Sequence, residues 1–377
     1  METFSWTRVI RPNLVAFRFL GLWPKGSTLY KANLYTLYSA VIIILLLSVH
    51  NLSQVLNIFV VYPDLQNLTE TIFITVTNVL TLIKAYYFVK NMSTLKQLMV
   101  ILESVEFQPR NSQQESLIQP DLIFWKRVSS ALLVTVGSCL TAWCSTPLLN
   151  DKKQLPFASW YPFGTETSPK YELTYLHQVV SICCLATANL GLDTLISALM
   201  MFVGGQCDIL CDNLRSLKVD NFCIEFVKCV KHHKDILRFS EKCNQFFNTI
   251  AFGQFFTSAA CIAMSLFRLT LVAPLSSEFC TIFFYLGAAI QEIFLYCWFG
   301  NEVQIKSAQI PYAVFESDWT NAPLSDQKNV LIFVMNTQKP IKMSAFNLFY
   351  LTLDTYIKIL RVSWSYFAVL STVNASE

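Results

Sequence analysis

The sequence is poor in charge and in glycine, and its histidines, cysteines and acids fall in no arrangement that builds an active site. Only 14% of its 377 residues are charged, against 54% hydrophobic, which excludes an ordinary soluble domain and a disordered chain alike. Ten glycines with one adjacent pair, Gly204-Gly205, provide no phosphate-cradling loop. There is no His-Glu-x-x-His, no Gly-x-Ser-x-Gly and no carboxylate pair in a plausible catalytic setting, so no enzyme is expected. The four histidines show no ligand spacing, and Cys207 and Cys211 with His232 and His233 do not match a common zinc site; no metal or other cofactor is expected. Twelve scattered cysteines include no obvious pair in an outer loop, so they are read as buried thiols rather than a disulfide framework. A net charge of +3 is too small to imply a nucleic-acid partner.

What is present is apolar sequence in long blocks. Seven reach membrane length, at roughly 34–56, 69–89, 128–149, 176–203, 246–273, 279–299 and 344–373. A span in lipid must satisfy its own backbone hydrogen bonds, so each is predicted to be a helix. The fold class is an all-α membrane protein with seven transmembrane helices. Of the 28 Lys and Arg residues, 21 fall in residues 1–33 and in the 90–127, 204–245 and 300–343 connections, and only three on the opposite side. The bias predicts a cytoplasmic N-terminus and an extracellular C-terminus. It also places the Asn67-Leu-Thr69 glycosylation sequon outside. An outside N-terminus, which a metabotropic seven-helix receptor requires, is disfavoured.

The expected organisation is a cytoplasmic segment over 1–33, six spans over 34–299, a cytoplasmic segment over 300–343, a last helix over 344–373 and an outer tail over 374–377. Basic residues and Trp6, Phe17, Phe19 and Trp23 suggest that the first segment lies on the membrane surface, against lipid. Within 204–245, Phe222, Phe226, Cys229, Ile236, Cys243 and Phe247 fall on one helical stripe. The helices thus continue past the membrane into a cytoplasmic bundle, closed within one chain or shared between subunits.

The last block carries Asp354, Lys358 and Arg361 on one helical face, followed by Ser365, Val369 and Thr372 with Val373 beside it. Two readings stand: an Asp354–Lys358 surface pair, or a pore-lining helix whose charges meet water. Arg268, near the outer end of the fifth span, is placed to reach Glu278. The outer halves of spans two to six supply Phe73, Thr77, Cys139, Trp143, Ser181, Ala188, Phe283 and Tyr285. They are candidates for lining an apolar pocket, though ordinary packing explains each one alone.

Several motifs bear on family. Arg18-Phe-Leu-Gly-Leu-Trp-Pro24, Tyr161-Pro-Phe163 with Tyr171-Glu-Leu-Thr-Tyr-Leu-His-Gln178, and Trp319 with Pro323-Leu-Ser-Asp-Gln-Lys328 are three of them. Val330-Leu-Ile-Phe-Val-Met335, Thr337-Gln-Lys-Pro340, Leu351-Thr-Leu-Asp-Thr-Tyr356 and Ser363-Trp-Ser-Tyr-Phe-Ala-Val-Leu370 follow them. Together they cover about a third of the chain and resemble insect odorant receptors. The resemblance implies a ligand-gated, nonselective cation channel that opens on binding small volatile hydrophobic molecules. It implies a plasma-membrane tetramer of sensory-neuron dendrites, its pore lined by the last helix and surrounded by membrane lipid. It further implies a shared co-receptor subunit, joined through a cytoplasmic anchor bundle and the pore helix, and a gate on Val369 with Thr372 and Val373. The short 204–245 connection resembles a tuning subunit rather than the co-receptor. A gustatory-type receptor is the nearest alternative, but Ser365-Tyr366 lacks the Gln-Phe that ends that pattern.

Overall fold

The computed structural model describes residues 4–24, 33–62, 65–149, 154–165 and 167–376. A short helix α1 (Trp6–Phe19) is followed by α2 (Leu34–Val41), a π-helical stretch over Ile42–Ser48 and α3 (Val49–Val61), which together form the first span. Then come α4 (Leu65–Lys90), α5 (Met92–Leu102), α6 (Ser112–Leu149), α7 (Lys170–Arg215), α8 (Phe222–Leu271) and α9 (Ser277–Ala308). The chain ends with α10 (Ile310–Phe315), α11 (Leu324–Thr337), a two-stranded hairpin and α12 (Leu353–Ser376). Among the described residues six helices are long and apolar enough to cross a membrane. The seventh, α12, has 24 residues and carries three charges in its first nine.

The centre of the fold is α7. Every residue from Gly191 to Cys207 is buried, so this helix is enclosed on all sides rather than on one stripe. It packs on α1, α6, α8 and α9. With 46 residues in α7 and 50 in α8, both rods run well beyond the ~30 Å apolar core of a bilayer. The 204–245 connection is therefore two helical extensions joined by a tight turn. Phe222, Phe226, Cys229, Ile236, Cys243 and Phe247 are all buried on the expected stripe, within this one chain.

The N-terminal segment departs from expectation. Trp6, Ile10 and Phe17 turn into the protein core, and the Asn13 amide donates to the Gly191 carbonyl and to Thr194 on α7. Amphipathicity is visible in sequence, but whether lipid or protein takes the apolar face is settled by the partner surface. The free N-terminal N–H groups of α1 find an acceptor in Glu103, which receives hydrogen bonds from Ser5 Oγ (2.8 Å) and the Thr7 backbone (2.9 Å). Burial pushes the Glu103 carboxyl up, but these donors outweigh it and hold its pKa below the usual value.

The last helix begins later than expected. Residues 344–350 form the hairpin, with β1 (Ser344–Ala345) antiparallel to β2 (Phe349–Tyr350). Phe346 and Asn347 at its tip both have positive φ, 54° and 55°, a conformation incompatible with a continuing helix. The hairpin is fixed from a distance. Asn244 Oδ1 accepts from the Ser344 amide at 2.8 Å, and Asn248, one turn further along α8, accepts from the Phe346 amide. Thr352 then caps α12 through the Thr355 amide. Nine residues fewer at its start and three more at its end leave 24 residues, ~36 Å, still enough to cross.

Candidate functional site

Helices α4, α6, α7 and α9 enclose a cavity of ≈ 80 Å³. Its apolar wall includes Ile74, Val136, Leu140, Trp143 and Leu185. A larger vestibule of ≈ 590 Å³ lies beside it under the 154–158 segment, and the two share Ile74 and Trp143. Phe157 of that segment is buried; its backbone N–H donates to Gln178 Oε1 (3.1 Å) and its carbonyl accepts from Gln178 Nε2 (3.0 Å). Its ring lies 5.3 Å from Trp143. Trp143 also contacts Phe73 (6.1 Å) and Tyr285 (5.9 Å), so one indole stands between vestibule and cavity within an aromatic cluster. Arg268 pairs with Glu278 at the vestibule rim, as its position in the sequence suggested.

Of the eight pocket candidates, Thr77, Cys139, Trp143 and Tyr285 line the cavity. Thr77 and Tyr285 share a hydroxyl–hydroxyl hydrogen bond of 2.6 Å. Phe73 is buried at the vestibule wall, its ring 5.0 Å from that of Tyr285. Ser181 and Ala188 are buried in α7 packing instead; their neighbours Ile182, Leu185 and Asn189 carry the wall. Phe283 is a correction. It is 57% exposed on the outside of the bundle. Two residues along a helix turn ~200°, so Phe283 and Tyr285 cannot both face inward. The Asn67 and Val373 side chains lie outside the described residues.

Below the cavity lies a polar network that sequence reasoning missed. Lys84 Nζ donates to Asp193 Oδ1 (2.6 Å) and Asn189 Oδ1 (2.7 Å). Tyr296 Oη donates to the same Asp193 oxygen (2.7 Å). Asn189 Nδ2 donates to Glu292 Oε1 (2.7 Å), and Gln254 Nε2 to Glu292 Oε2 (2.8 Å) and Ser258 (2.8 Å). Lys84, Asp193 and Tyr296 are fully buried, and Asn189 and Glu292 line the cavity. Asp193 and Glu292 thus meet in one buried hydrogen-bonded network. The signal was available, because an ionisable residue in mid-span is a functional candidate by default.

On α12 the two faces differ sharply. Ser363 is buried and donates to the Ala259 carbonyl of α8 at 3.1 Å. Asp354, Lys358, Arg361, Ser365, Val369 and Thr372 all lie on exposed positions in the single chain. The Asp354–Lys358 pair forms, with Lys358 Nζ 2.7 Å from Asp354 Oδ2 and both side chains about 70% exposed, an arrangement that fits a solvated surface and a water-lined pore alike. Lys358→Met is expected to change stability by no more than ~0.5 kcal/mol, measured as a melting shift in detergent. A loss of several kcal/mol would mean that this face is covered.

A family model described as the 7tm odorant receptor matches residues 64–364. Odorant receptor Or1 of Anopheles gambiae is 23% identical over 96% of this chain and 94% of that protein. Isoform A of odorant receptor 46a of Drosophila melanogaster is 22% identical over 94% and 95% of the two chains. The solved insect olfactory receptor OR5 from Machilis hrabei, in complex with eugenol, superposes with a TM-score of 0.85 at 20% identity, covering 97% of this chain and 98% of that one.

Proposed function

Since the chain belongs to the 7tm odorant receptor family, we infer that it is an odorant-gated cation channel subunit, with its ligand in the ≈ 80 Å³ cavity and its pore along the exposed face of α12. As a multi-pass membrane protein it acts in olfaction. The observation that carries the division of labour is the two-faced α12: one flank is fixed to α8 through Ser363, and the other presents charge, then hydroxyl, then Val369. Water accommodates the charges, and an apolar ring at Val369 closes by dewetting. Trp143 rotates to admit the ligand from the vestibule. Ligand contact at Glu292 reaches α12 through its partner Gln254 on α8, because Gln254 and Ala259 are little more than a turn apart on that helix.

The chain works with a co-receptor subunit in a heterotetramer, as a tuning subunit. Exposed Leu331, Ile332 and Met335 on α11 are an apolar surface suited to that contact. The basic end of the bundle faces the cytoplasm, which puts the C-terminus outside.

Coexpression with a co-receptor is the test. Volatiles should evoke a cation current that persists when G proteins are blocked, and its loss under that block would sink the reading. Within that assay, Val369→Ala should raise basal current or alter ion selectivity while leaving the order of ligand potency intact. Trp143→Ala should reorder ligands by about tenfold, the scale expected of a pocket contact. Equal reordering by both variants would contradict the separation of pore from pocket.

A further inference from the structure

A groove of ≈ 800 Å³ lies between α1, α6 and α7, and shares only Leu190 with the ligand cavity. Three contacts fix the relative heights of its walls. Trp6 packs on Phe202 (5.1 Å), Asn13 donates to the Gly191 carbonyl (2.8 Å), and Trp125 Nε1 donates to Ser197 Oγ (3.0 Å). Helix α1 therefore runs antiparallel to α7, with Arg8 between the levels of Phe202 and Gly191. Lys126 stands near the level of Ser197, so two cations line the groove at similar height, where the sequence begins its third span. Further into the span the walls become Ala16, Leu133 and Leu190. The acid among the described lining residues, Glu115, is eleven residues before Lys126, ~16 Å away along α6. Of the nearby acids, Asp121 turns to Lys306, and Glu103 accepts from Ser5 and Thr7. Positive charge therefore prevails where Arg8 and Lys126 meet the groove. The groove is also open sideways: Arg8, Lys126, Ser130 and Leu133 are exposed, and only 11% of the apolar stretch of α6 is buried in the protein. In a bilayer, what meets that opening is lipid.

We propose that this groove binds an anionic glycerophospholipid from the leaflet at the basic end of the bundle, with its headgroup phosphate at Arg8 and Lys126 and one acyl chain along Leu133 and Leu190. Basic pockets between spans select anionic headgroups. The apolar end of the groove gains only if a chain fills it, which favours a lipid over a soluble anion. A lipid seated there bridges α1 and α6. By mass action it favours the conformation in which α1 is docked on α7.

The probe is phosphatidylserine with a photoreactive group on one acyl chain, in nanodiscs that hold the full chain with a co-receptor. Cross-linked peptides of this chain are mapped by mass spectrometry. Label should concentrate on residues 129–133 and 187–194. Unlabelled phosphatidylserine should displace it at a concentration at least about fivefold lower than phosphatidylcholine does. Lys126→Gln, at an exposed position, should bring that preference below about twofold with the melting temperature unchanged, and Lys126→Arg should keep it. Ser130→Trp, one turn along from Lys126, should block the groove and remove the label from 187–194. Equal displacement by the two lipids, or label spread evenly over every outward helix face, means surrounding lipid only and overturns the proposal. So does a preference that survives in a stably folded Lys126→Gln. Displacement by glycerophosphoserine, the headgroup without chains, as readily as by the lipid overturns it in favour of a soluble anion. Labelling reads occupancy without current. A complex that answers no odorant therefore leaves this inference standing, and an unlabelled groove leaves the odorant-gated reading standing.

Discussion

Lys84→Met is expected to leave little of the protein at the cell surface. The ammonium it removes lies 2.6 Å from Asp193 Oδ1 at zero exposure, and Asp193 Oδ2 has no hydrogen-bond partner among the described residues. The variant strands a buried carboxylate with one hydroxyl donor, from Tyr296. Breaking a buried pair from one side costs about 3–5 kcal/mol, a large part of a total stability of about 5–15 kcal/mol. Lys84→Met combined with Asp193→Leu removes both charges and should recover much of the loss. Recovery is incomplete because the Tyr296 hydroxyl then loses its acceptor, at about 1–3 kcal/mol. Surface labelling and the melting temperature in detergent read both variants. A single variant as stable as the parent, or a double variant worse than the single, would show that the pair does not hold the helices as described.

A second large effect comes from one methyl group placed at two glycines. At Gly300 a Cβ would collide with the Leu351 carbonyl oxygen, at the end of the hairpin that leads into α12. That backbone is pinned, so Gly300→Ala forces α9 and the hairpin apart, at a cost towards the upper end of the ~1–3 kcal/mol of overpacking. At Gly137 in α6 nothing lies within 4 Å of the added atom. There the same change removes backbone freedom from the unfolded chain and should stabilise by ~0.5–1 kcal/mol. Melting curves of the two variants should move in opposite directions. A shift of the same sign in both would mean that the contact between Gly300 and Leu351 yields easily.

Most of the spans were legible because twenty apolar residues in a row have few alternatives in lipid. The stripe from Phe222 to Phe247 was legible for a similar reason: its period matches one helix and demands a partner. The start of α12 was not. Ala345–Tyr350 is apolar apart from Asn347 and contains no proline or glycine, and its turn is held by Asn244 and Asn248, about a hundred residues earlier. Lys84, Asp193 and Glu292 each stand alone in a separate span, so their meeting is a fact of packing that no local pattern contains. Within the site, the reading went furthest where helical phase turns a residue inward, as at Thr77 and Trp143, which both line the cavity. It failed at Phe283, where hydrophobicity was allowed to outrank helical phase.

Helix α8 is a single 50-residue rod that holds Gln254 against Glu292, Asn244 at the hairpin and Phe222 at its far end. A rod of that length, ~75 Å, tilted by about 3° around one end displaces the other by ~4 Å. Any tilt of α8 about one end is thus magnified along its length into a movement of several ångström at the other.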